Sequence, residues 1–427
     1  MSDAPTQRRA RLPIRTRTAL AAAAGARWAS QRTGRGKGSM IGGLIAAKID
    51  PSIMGRLAGG KATALITGTN GKSTTTKMTA AALAGLGGVI SQADGANMDA
   101  GIIAALTLGR DAPYAAIEVD ELHVPHVSDA VDPDVLVLLN LSRDQLDRVG
   151  EINIIERRLR EGIAKHPDMT VIANCDDVLV ASAAYDAANV VWVAAGAGWA
   201  NDSVSCPRSG EPIIRSGDDW YSSGTDFRRP TPSWWFDDDS IHGPDGFTAP
   251  MTLTLPGKAN RGNATQAVAA AVAMGADPHA AVAAVSGVGE VAGRYGVRTV
   301  GPHSVRLLLA KNPAGWQEAL SMIDPDAAGL VIAVNGQVPD GEDLSWLWDV
   351  RFEHFENTTV VAAGERASDL GVRLIYAGAE HQTIPDPLVA IASCPPGRVD
   401  VLANYTAFRD LGVAIDRIER SEGTRRG

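Results

Sequence analysis

The sequence predicts a doubly wound α/β protein carrying a small β-rich insertion, followed by a second α/β domain. Short runs of β-branched and aliphatic residues alternate with longer helix-type segments on both sides of one interruption. A glycine-containing turn, Gly68–Thr74, joins the first of these strands to a helix. At 427 residues the chain exceeds one ordinary core, and roughly 150 residues per domain suggests about three.

Composition narrows the function classes. A 45% hydrophobic, 21% charged chain is not largely disordered. Three cysteines cannot build a disulfide framework or an all-cysteine zinc site, which points to a reducing compartment. Residues 1–40 hold nine Lys/Arg against Asp3 alone, a local charge of +8 that leaves −17 elsewhere in a total of −9. A general nucleic-acid binder is therefore not expected. The basic arm suits anionic lipid or a phosphorylated substrate, and equally a solvated terminus. No apolar run approaches the ~20 residues of a membrane span. The run Ala19–Ala24 is too short and weakly apolar for a signal core.

The run Ala62–Thr67 predicts a strand, and the Ala/Met/Leu-rich stretch after Thr74 a helix to about Leu86. Tyr114–Val119, Val135–Leu139 and Thr170–Ala173 continue the strand series. Between about 200 and 250, Gly, Pro, Ser and Asp crowd with Trp220, Tyr221, Trp234, Trp235 and Phe236, and no helical period appears. Ala264–Met274 and Ala276–Val288 return to helix. Strand-type runs resume at Val305–Leu309, Leu330–Val334, Thr359–Ala363 and Val399–Leu402. The division expected is a basic segment over 1–55, a central domain over 56–295 and a C-terminal domain over 296–420.

Gly68-Thr69-Asn70-Gly71-Lys72-Ser73-Thr74 is the strongest chemical signal. Its glycines let backbone N–H groups turn toward phosphate oxygens, and the helix that follows adds its positive end. Lys72 reaches β/γ-phosphates and the Ser73 hydroxyl suits Mg²⁺. Ile66 stands where the strict pattern has its first glycine, so the loop is a shortened variant. The run Ile117-Glu118-Val119-Asp120-Glu121 ends a strand beside the expected nucleotide; Glu118 is a candidate Mg²⁺ ligand there, or a charged strand end.

These residues resemble the ATP-binding centre of the Mur ligases, which build the peptide of the bacterial cell wall. Asn174-Cys175-Asp176-Asp177, Leu255-Pro256-Gly257 with Asn260 and Asn263, and Gly293-Arg294 agree with that resemblance. It implies that they line the nucleotide, with Arg294 on its phosphates. A narrower resemblance is to the MurT branch. It is carried by Gly34–Ser39 with Lys48–Pro51, Arg143–Arg148, Lys311–Gly315, Asp340–Asp349 and Arg366–Gly378, and spans about Arg15 to Val413.

The MurT resemblance implies a two-subunit lipid II isoglutaminyl synthase. One subunit uses ATP and Mg²⁺ to activate the α-carboxylate of D-glutamate in lipid II as an acyl phosphate. A GatD-like glutaminase supplies ammonia. The expected place is cytoplasmic, at the inner face of the cell membrane through the substrate. Lys72, Arg294 and Mg²⁺ would surround the transferred phosphoryl group. An aspartate of the C-terminal domain would complete the partner's Cys/His site; by motif position this is Asp349, with Asp343 second. Trp346 and Trp348 are expected in packing or the subunit interface.

The chain departs from the family in three places. Where many MurT proteins carry a four-cysteine zinc ribbon, it has Cys206, Ser209, Ser222 and Thr225, so no structural zinc is expected and the aromatic residues must hold the insertion. Asp144-Gln145 lacks the histidine of a second Mg²⁺ site, and Arg157, Arg158, Leu159 and Arg160 occupy the neighbourhood of the family's modified lysine. Lys311 replaces an aspartate that receives an incoming amine, which suits ammonia as nucleophile. The rival readings are a stand-alone Mur or folylpolyglutamate-type amino-acid-adding ligase and a non-catalytic ATP-binding scaffold. Lys311–Gly315 with Ser345–Asp349 speaks against the first rival. Intact Lys72, Ser73, Glu118 and Arg294 speak against the second.

Overall fold

The computed structural model describes residues 12–32, 39–92, 96–143, 152–197, 202–289, 295–341, 343–355 and 360–426. Three helices come first: α1 (Ile14–Arg32), α2 (Ser39–Ile49) and α3 (Ile53–Ala58). An alternating series follows: β1 (Ala62–Thr67), α4 (Lys72–Leu83), β2 (Val89–Ser91), α5 (Asp99–Leu108), β3 (Tyr114–Glu118) and α6 (Val124–Val131). It continues as β4 (Val135–Leu138), α7 (Ile152–Ile163), β5 (Thr170–Asn174), α8 (Val178–Ala184) and β6 (Asn189–Val193). The strands form one parallel sheet in the order β2-β3-β1-β4-β5-β6.

Helices cover both faces of this sheet, which is why its strands read as unbroken apolar runs. Leu65, Ile117, Leu136 and Val171 pack on one face with α5–α8; Ile66, Ala116, Val137 and Ile172 pack on the other with α4. Helices α1–α3 join the first of these cores through Ala19, Ala23, Ala46, Ile53 and Leu57. A domain boundary after residue 55 therefore cuts α3, whose Gly55 lies against the Ala130 carbonyl of α6. Of the nine cations, Arg15, Arg17, Arg27 and Arg32 are carried by α1, which packs onto the central core, and the other five lie outside the described residues. Buried Asp50 fixes the base of the three helices, accepting from Thr16 Oγ1 at 2.6 Å and Arg56 Nη1 at 2.8 Å.

The insertion is two structures with different cores. A hairpin, β7 (Ile213–Ser216) and β8 (Asp219–Ser222), packs Trp220, Phe227 and Cys206 onto Val178 and Ala181 of α8. Trp220 Nε1 donates to the Cys175 carbonyl at 3.0 Å. The strands β9 (Trp235–Phe236), β10 (Ser240–His242) and β11 (Thr248–Pro250) instead place Trp234, Ile241 and Ala249 in the main core. There they meet α9 (Lys258–Ala273) and α10 (Pro278–Ser286). The expectation of one aromatic cluster is corrected accordingly: Trp220 and Trp234 serve separate cores, and Tyr221 and Trp235 are exposed. Burial pushes the Cys206 thiol up, but the Ser209 hydroxyl and the Arg208 and Ser209 backbone, with a smaller contribution from Ser222, outweigh it and hold the thiol below its ordinary pKa. Three of the four ribbon positions thus still converge.

The second sheet contains β12 (Tyr295–Val300), β13 (His303–Leu309), β14 (Gly329–Ala333), β15 (Val360–Ala363), β16 (His381–Thr383) and β17 (Gly397–Ala403). Helices α11 (Pro313–Ser321), α12 (Ala367–Tyr376), α13 (Pro387–Ser393) and α14 (Tyr405–Arg426) accompany it. Strand order is β12-β13-β17-β14-β15-β16, parallel except for β12. A buried Arg306–Asp400 pair at 2.5 Å joins β13 to β17, and Arg306 also caps the Met322 carbonyl at 2.6 Å, so neither charge is left alone. The sequence expects α9 to start at Ala264, but it starts at Lys258, directly after Gly257 at φ 96°.

Gly43 on α2 marks the closest helix approach, since a Cβ there would lie 2.0 Å from the Ala100 carbonyl oxygen of α5. Gly43→Val is expected to lower stability by about 1–3 kcal/mol through forced separation of these helices. Denaturant unfolding of the variant measures this.

Candidate active site

Strand β1 sits inside the sheet and ends at Thr67, so its following turn opens at the carboxyl edge of the parallel strands, at the N-terminus of α4. Two positions in the turn require glycine. Gly68 has φ 137°, and a Cβ would stand 2.8 Å from Leu139 Cβ and 2.9 Å from the Asn140 carbonyl. Gly71 has φ 86°, and its Cβ would meet Asn263 Oδ1 at 2.7 Å. Close neighbours on both sides fix the loop. Asn140 accepts from Thr69 N (2.9 Å) and Asn70 N (2.9 Å) and donates to the Asn70 carbonyl (3.0 Å). Thr69 Oγ1 accepts from Ser142 N at 2.9 Å and donates to the Ser142 carbonyl at 3.1 Å.

Lys72 is buried over this loop. Its Nζ donates to the Gly68 carbonyl at 2.6 Å, the Thr69 carbonyl at 3.2 Å and Glu121 Oε2 at 3.2 Å. The Glu121 carboxylate makes the buried cation tolerable and holds it beside the cradle. Ser73 occupies the first turn of α4. Glu118 ends β3, opposite Ile66 of β1, with its backbone held by Gln92 at 2.8 and 2.7 Å. No group of three or more His, Cys, Asp or Glu placed to hold a metal ion occurs among the described residues.

A cleft of about 450 Å³ extends from the loop between the two sheets' domains. Asn70, Ser142 and Asn263 line its loop end, Asp176 and Arg215 its side, and Gln317 of α11 its far wall. The hydroxyls of Ser142 and Thr67 are buried with no hydrogen-bond partner among the described residues. Orphaned polar atoms beside an open cradle suit a phosphate with its cation. Asn260 turns back to the Pro256 carbonyl at 2.6 Å and accepts from Asn263 at 3.4 Å, so the pair stiffens the helix start against Gly71. Asp176 accepts from Gly196 N at 2.7 Å and Arg229 Nε at 2.7 Å. Asn174 donates to the Leu139 carbonyl at 3.0 Å.

The second domain reaches the loop through Asn312. This residue caps α11 through Gly315 N at 2.8 Å and exchanges two amide hydrogen bonds with Asn70, each 3.2 Å. Next to it, the Lys311 ammonium lies 5.1 Å from the Tyr405 ring centroid. Asp349 closes the 3-10 turn Ser345–Trp348, and its half-exposed Oδ2 lies 3.4 Å from Arg143 Nη2 of the central domain. Asp343 instead accepts from Ser345 N at 2.8 Å, a backbone bond that lowers its pKa. Trp346 is buried against Trp316 at 5.4 Å, whereas Trp348 is exposed beside Tyr376 at 5.3 Å. The two tryptophans thus divide packing and surface between them.

Arg294 and the motif positions Asp144–Arg148 lie outside the described residues. Arg160 pairs with buried Glu156 at 3.1 Å, and His123 and His126 share Asp99 at 3.4 and 3.1 Å. Burial pushes the Cys175 and Cys394 thiols up. Sequence reasoning missed Asn140, the pairing of Lys72 with Glu121 and the contact of Arg143 with Asp349. Asn140 directly follows a strand of the parallel series, and the carboxyl-edge rule for such sheets was the signal that marks it.

Residues 66–271 match the Mur ligase middle domain, and residues 309–408 match the MurT ligase C-terminal domain. The chain is 28% identical to the lipid II isoglutaminyl synthase (glutamine-hydrolyzing) subunit MurT of Streptococcus pneumoniae, over 91% of this chain and 95% of that one. It is also 28% identical to the subunit of the same name from Staphylococcus aureus strain COL, over 96% and 99%. Among solved structures, a pseudomurein peptide ligase type C from Methanothermus fervidus aligns with TM-score 0.66 at 18% identity, covering 84% of this chain and 79% of its own. MurF from Acinetobacter baumannii gives 0.65 at 18%, covering 88% and 81%. These two likenesses establish the fold.

Asp177 caps α8 at the edge of the cleft. Burial pushes its carboxyl up to about 6, against N–H donors from Val180, Leu141 and Leu179 and the charge of Arg215. Between the unfolded value near 3.8 and about 6, the native state keeps a proton that the unfolded chain releases. This group therefore makes the fold less stable as pH rises through that window. Asp177→Asn is expected to reduce the loss, read by denaturant unfolding at pH 4 and pH 7.

Proposed function

The chain belongs to the MurT family of Mur-ligase-like proteins, and from that membership we propose the following reaction. It amidates the α-carboxylate of D-glutamate in the lipid II stem peptide, using ATP and ammonia from a GatD-like glutaminase subunit. The amide-forming ligase class follows from the family itself. The observation that carries the finer reading is the seam of the two domains. The phosphate cradle with Lys72 faces a cleft completed by α11, and Asp349 stands across the same seam on the MurT-type domain.

A carboxylate is a poor acceptor for ammonia until one oxygen becomes a leaving group. Its oxygen attacks the γ-phosphorus, the bond to the bridging oxygen breaks, and ADP departs. Ammonia then adds to the acyl carbon, inorganic phosphate leaves, and nitrogen gives up a proton. Transfer of the phosphoryl group demands donors and positive charge placed in advance. Backbone N–H groups at the helix end of the loop, Gly71–Thr74, and the Lys72 ammonium supply them, and Arg294 adds a cation by its motif position. Ser73 and Glu118 would hold Mg²⁺, which neutralises charge on the phosphates. Glu121 holds the Lys72 ammonium in place beside the loop. Lys311, close to the loop through its neighbour Asn312, disfavours an ammonium ion and favours neutral ammonia.

Asp349 is assigned to the partner's glutaminase site, where a carboxylate orients the imidazole that activates the cysteine. Its half-exposed carboxylate faces Arg143 across the domain seam, whereas Asp343, the second choice, bonds back to Ser345 N of its own turn. The amino-acid-adding alternative draws support from D-glutamate ligases that match at 33% identity, but over only 28% of this chain.

A lipid-linked substrate places the protein at a membrane surface, and α1–α2 fits that contact. Met40, Ile41 and Leu44 form an exposed apolar stripe on α2, and Trp28 is exposed on α1. Arg27, Arg32 and Lys48 accompany them, and Asp50, the one acid between residues 12 and 58, is buried. Apolar side chains among cations favour an anionic lipid interface.

In the reconstituted two-subunit enzyme, Lys72→Ala is expected to reduce amidation of lipid II by about 10²-fold or more, with glutamine or free ammonia as donor. Unchanged amidation would overturn the ligase reading. Asp349→Asn should lose glutamine-dependent amidation and keep ammonia-dependent amidation; survival of glutamine use would remove that assignment. Leu44→Asp is expected to weaken sedimentation with phosphatidylglycerol vesicles several-fold.

A further inference from the structure

Arg143 is held by two carboxylates. Its backbone N and Nε donate to the two oxygens of Asp202 at 2.8 and 2.5 Å, and the Asp202 carboxylate is almost wholly buried. Its Nη2 faces Asp349 Oδ2 at 3.4 Å. The residue before it, Ser142, exchanges two hydrogen bonds with Thr69 of the phosphate loop. A short covalent and hydrogen-bonded path therefore joins the loop to the Asp349 carboxylate, and it crosses from one domain to the other. Ser142 lines the cleft, whereas Arg143 is outside its lining.

Given the glutaminase role assigned above to Asp349, we propose that Arg143 is a positioning residue that fixes the Asp349 carboxylate for the partner's histidine and ties it to the phosphate loop. An ionised carboxylate has lone pairs on both oxygens, and Arg143 engages only Oδ2. Oδ1 is thus left to accept an imidazole N–H while the guanidinium restrains the side chain. Asp202 is the anchor that makes this possible. A guanidinium held at Nε and at its own backbone N by one buried carboxylate cannot swing away with solvent. Arginine suits the position because a planar fork serves two carboxylates at once.

The path also gives the two chemistries a means of keeping step. Thr69 donates its N–H to the Asn140 carbonyl and shares its hydroxyl with Ser142, so a shift of the loop on phosphate binding shifts the chain segment that bears Arg143. Glutamine hydrolysis then responds to the occupancy of a site it does not touch. Energetic coupling of this kind needs differential contacts in the two states, and a contiguous chain of contacts is one way to carry it. The Arg143–Asp349 contact is the segment of the path that crosses the domain seam.

The test uses the two-subunit complex with Arg143→Gln and Arg143→Lys, alongside Asp349→Asn. Glutamine hydrolysis is measured with and without ATP, and amidation of lipid II is measured with free ammonium. Arg143→Gln is expected to lower kcat for glutamine hydrolysis about 10- to 100-fold with little change in KM for glutamine, as expected for a misplaced orienting group. Its remaining hydrolysis should lose its response to ATP, and ammonia-dependent amidation should stay within about twofold of the parent, since binding of the nucleotide is untouched. Arg143→Lys should restore part of kcat, because a cation alone still faces Asp349. A structural role alone would lower both activities together and show no rescue by lysine. Glutamine hydrolysis at the parental rate in Arg143→Gln, or equal loss of both activities, overturns the proposal. If Asp349→Asn itself leaves glutamine hydrolysis intact, the assignment of Asp349 fails first, and the two failures are told apart.

Discussion

The structure depends on one steric constraint: a strand-to-helix turn must keep the N–H groups at its helix end open while pressed between two neighbours. Asn140 and Leu139 crowd Gly68 from one side, and Asn263 crowds Gly71 from the other. Any side chain at either glycine would collide, and without the crowding the loop would lose its shape. The position of α9 follows from this, because Asn263 must reach Gly71. So does the burial of Lys72, whose ammonium bonds the carbonyls that the turn exposes inward. Glu121 then balances a charge that the fold has taken out of water.

A second consequence is the place of the C-terminal domain. It meets the phosphate loop through a neutral side-chain pair, Asn70 with Asn312, and it meets the strand-edge segment beside the loop through Asp349 and Arg143. The same few residues that shape the cradle thus also receive the second domain. Asn312 owes its position to local chemistry: it caps α11 just ahead of Pro313, a residue suited to the first turn of a helix. The motif Lys311–Gly315 is a helix start whose cap faces an active site.

The fold was largely legible from the sequence because buried parallel strands leave continuous apolar runs, and each predicted strand of the two sheets is found within two residues at either end. The phosphate loop was legible for a similar reason, since its glycines, lysine and serine are adjacent in the chain. What is assembled across distance was not legible. Glu121 lies 49 residues from Lys72 and Asp349 lies 206 residues from Arg143, and no local pattern encodes such pairings. Helices α1–α3 were read as a separate basic segment because their charges dominate the composition. Their small buried residues, Ala19, Ala23, Gly43 and Ala46, carry little hydropathy signal yet permit the close packing that joins them to the core. The insertion misled in the opposite way, because its tryptophans are close in sequence but divided between two cores.

The two links across the domain seam differ in kind. The asparagine pair carries no net charge, so dissolved ions leave it nearly unaffected. The link from Arg143 to Asp349 joins opposite charges that are each more than a third open to solvent, where a Debye length near 8 Å at physiological ionic strength weakens it. Added salt therefore separates the two: the cradle keeps its second-domain wall while the Asp349 carboxylate loses its restraint. Rising ionic strength would therefore loosen the seam at Asp349 before it loosened the seam at Asn312.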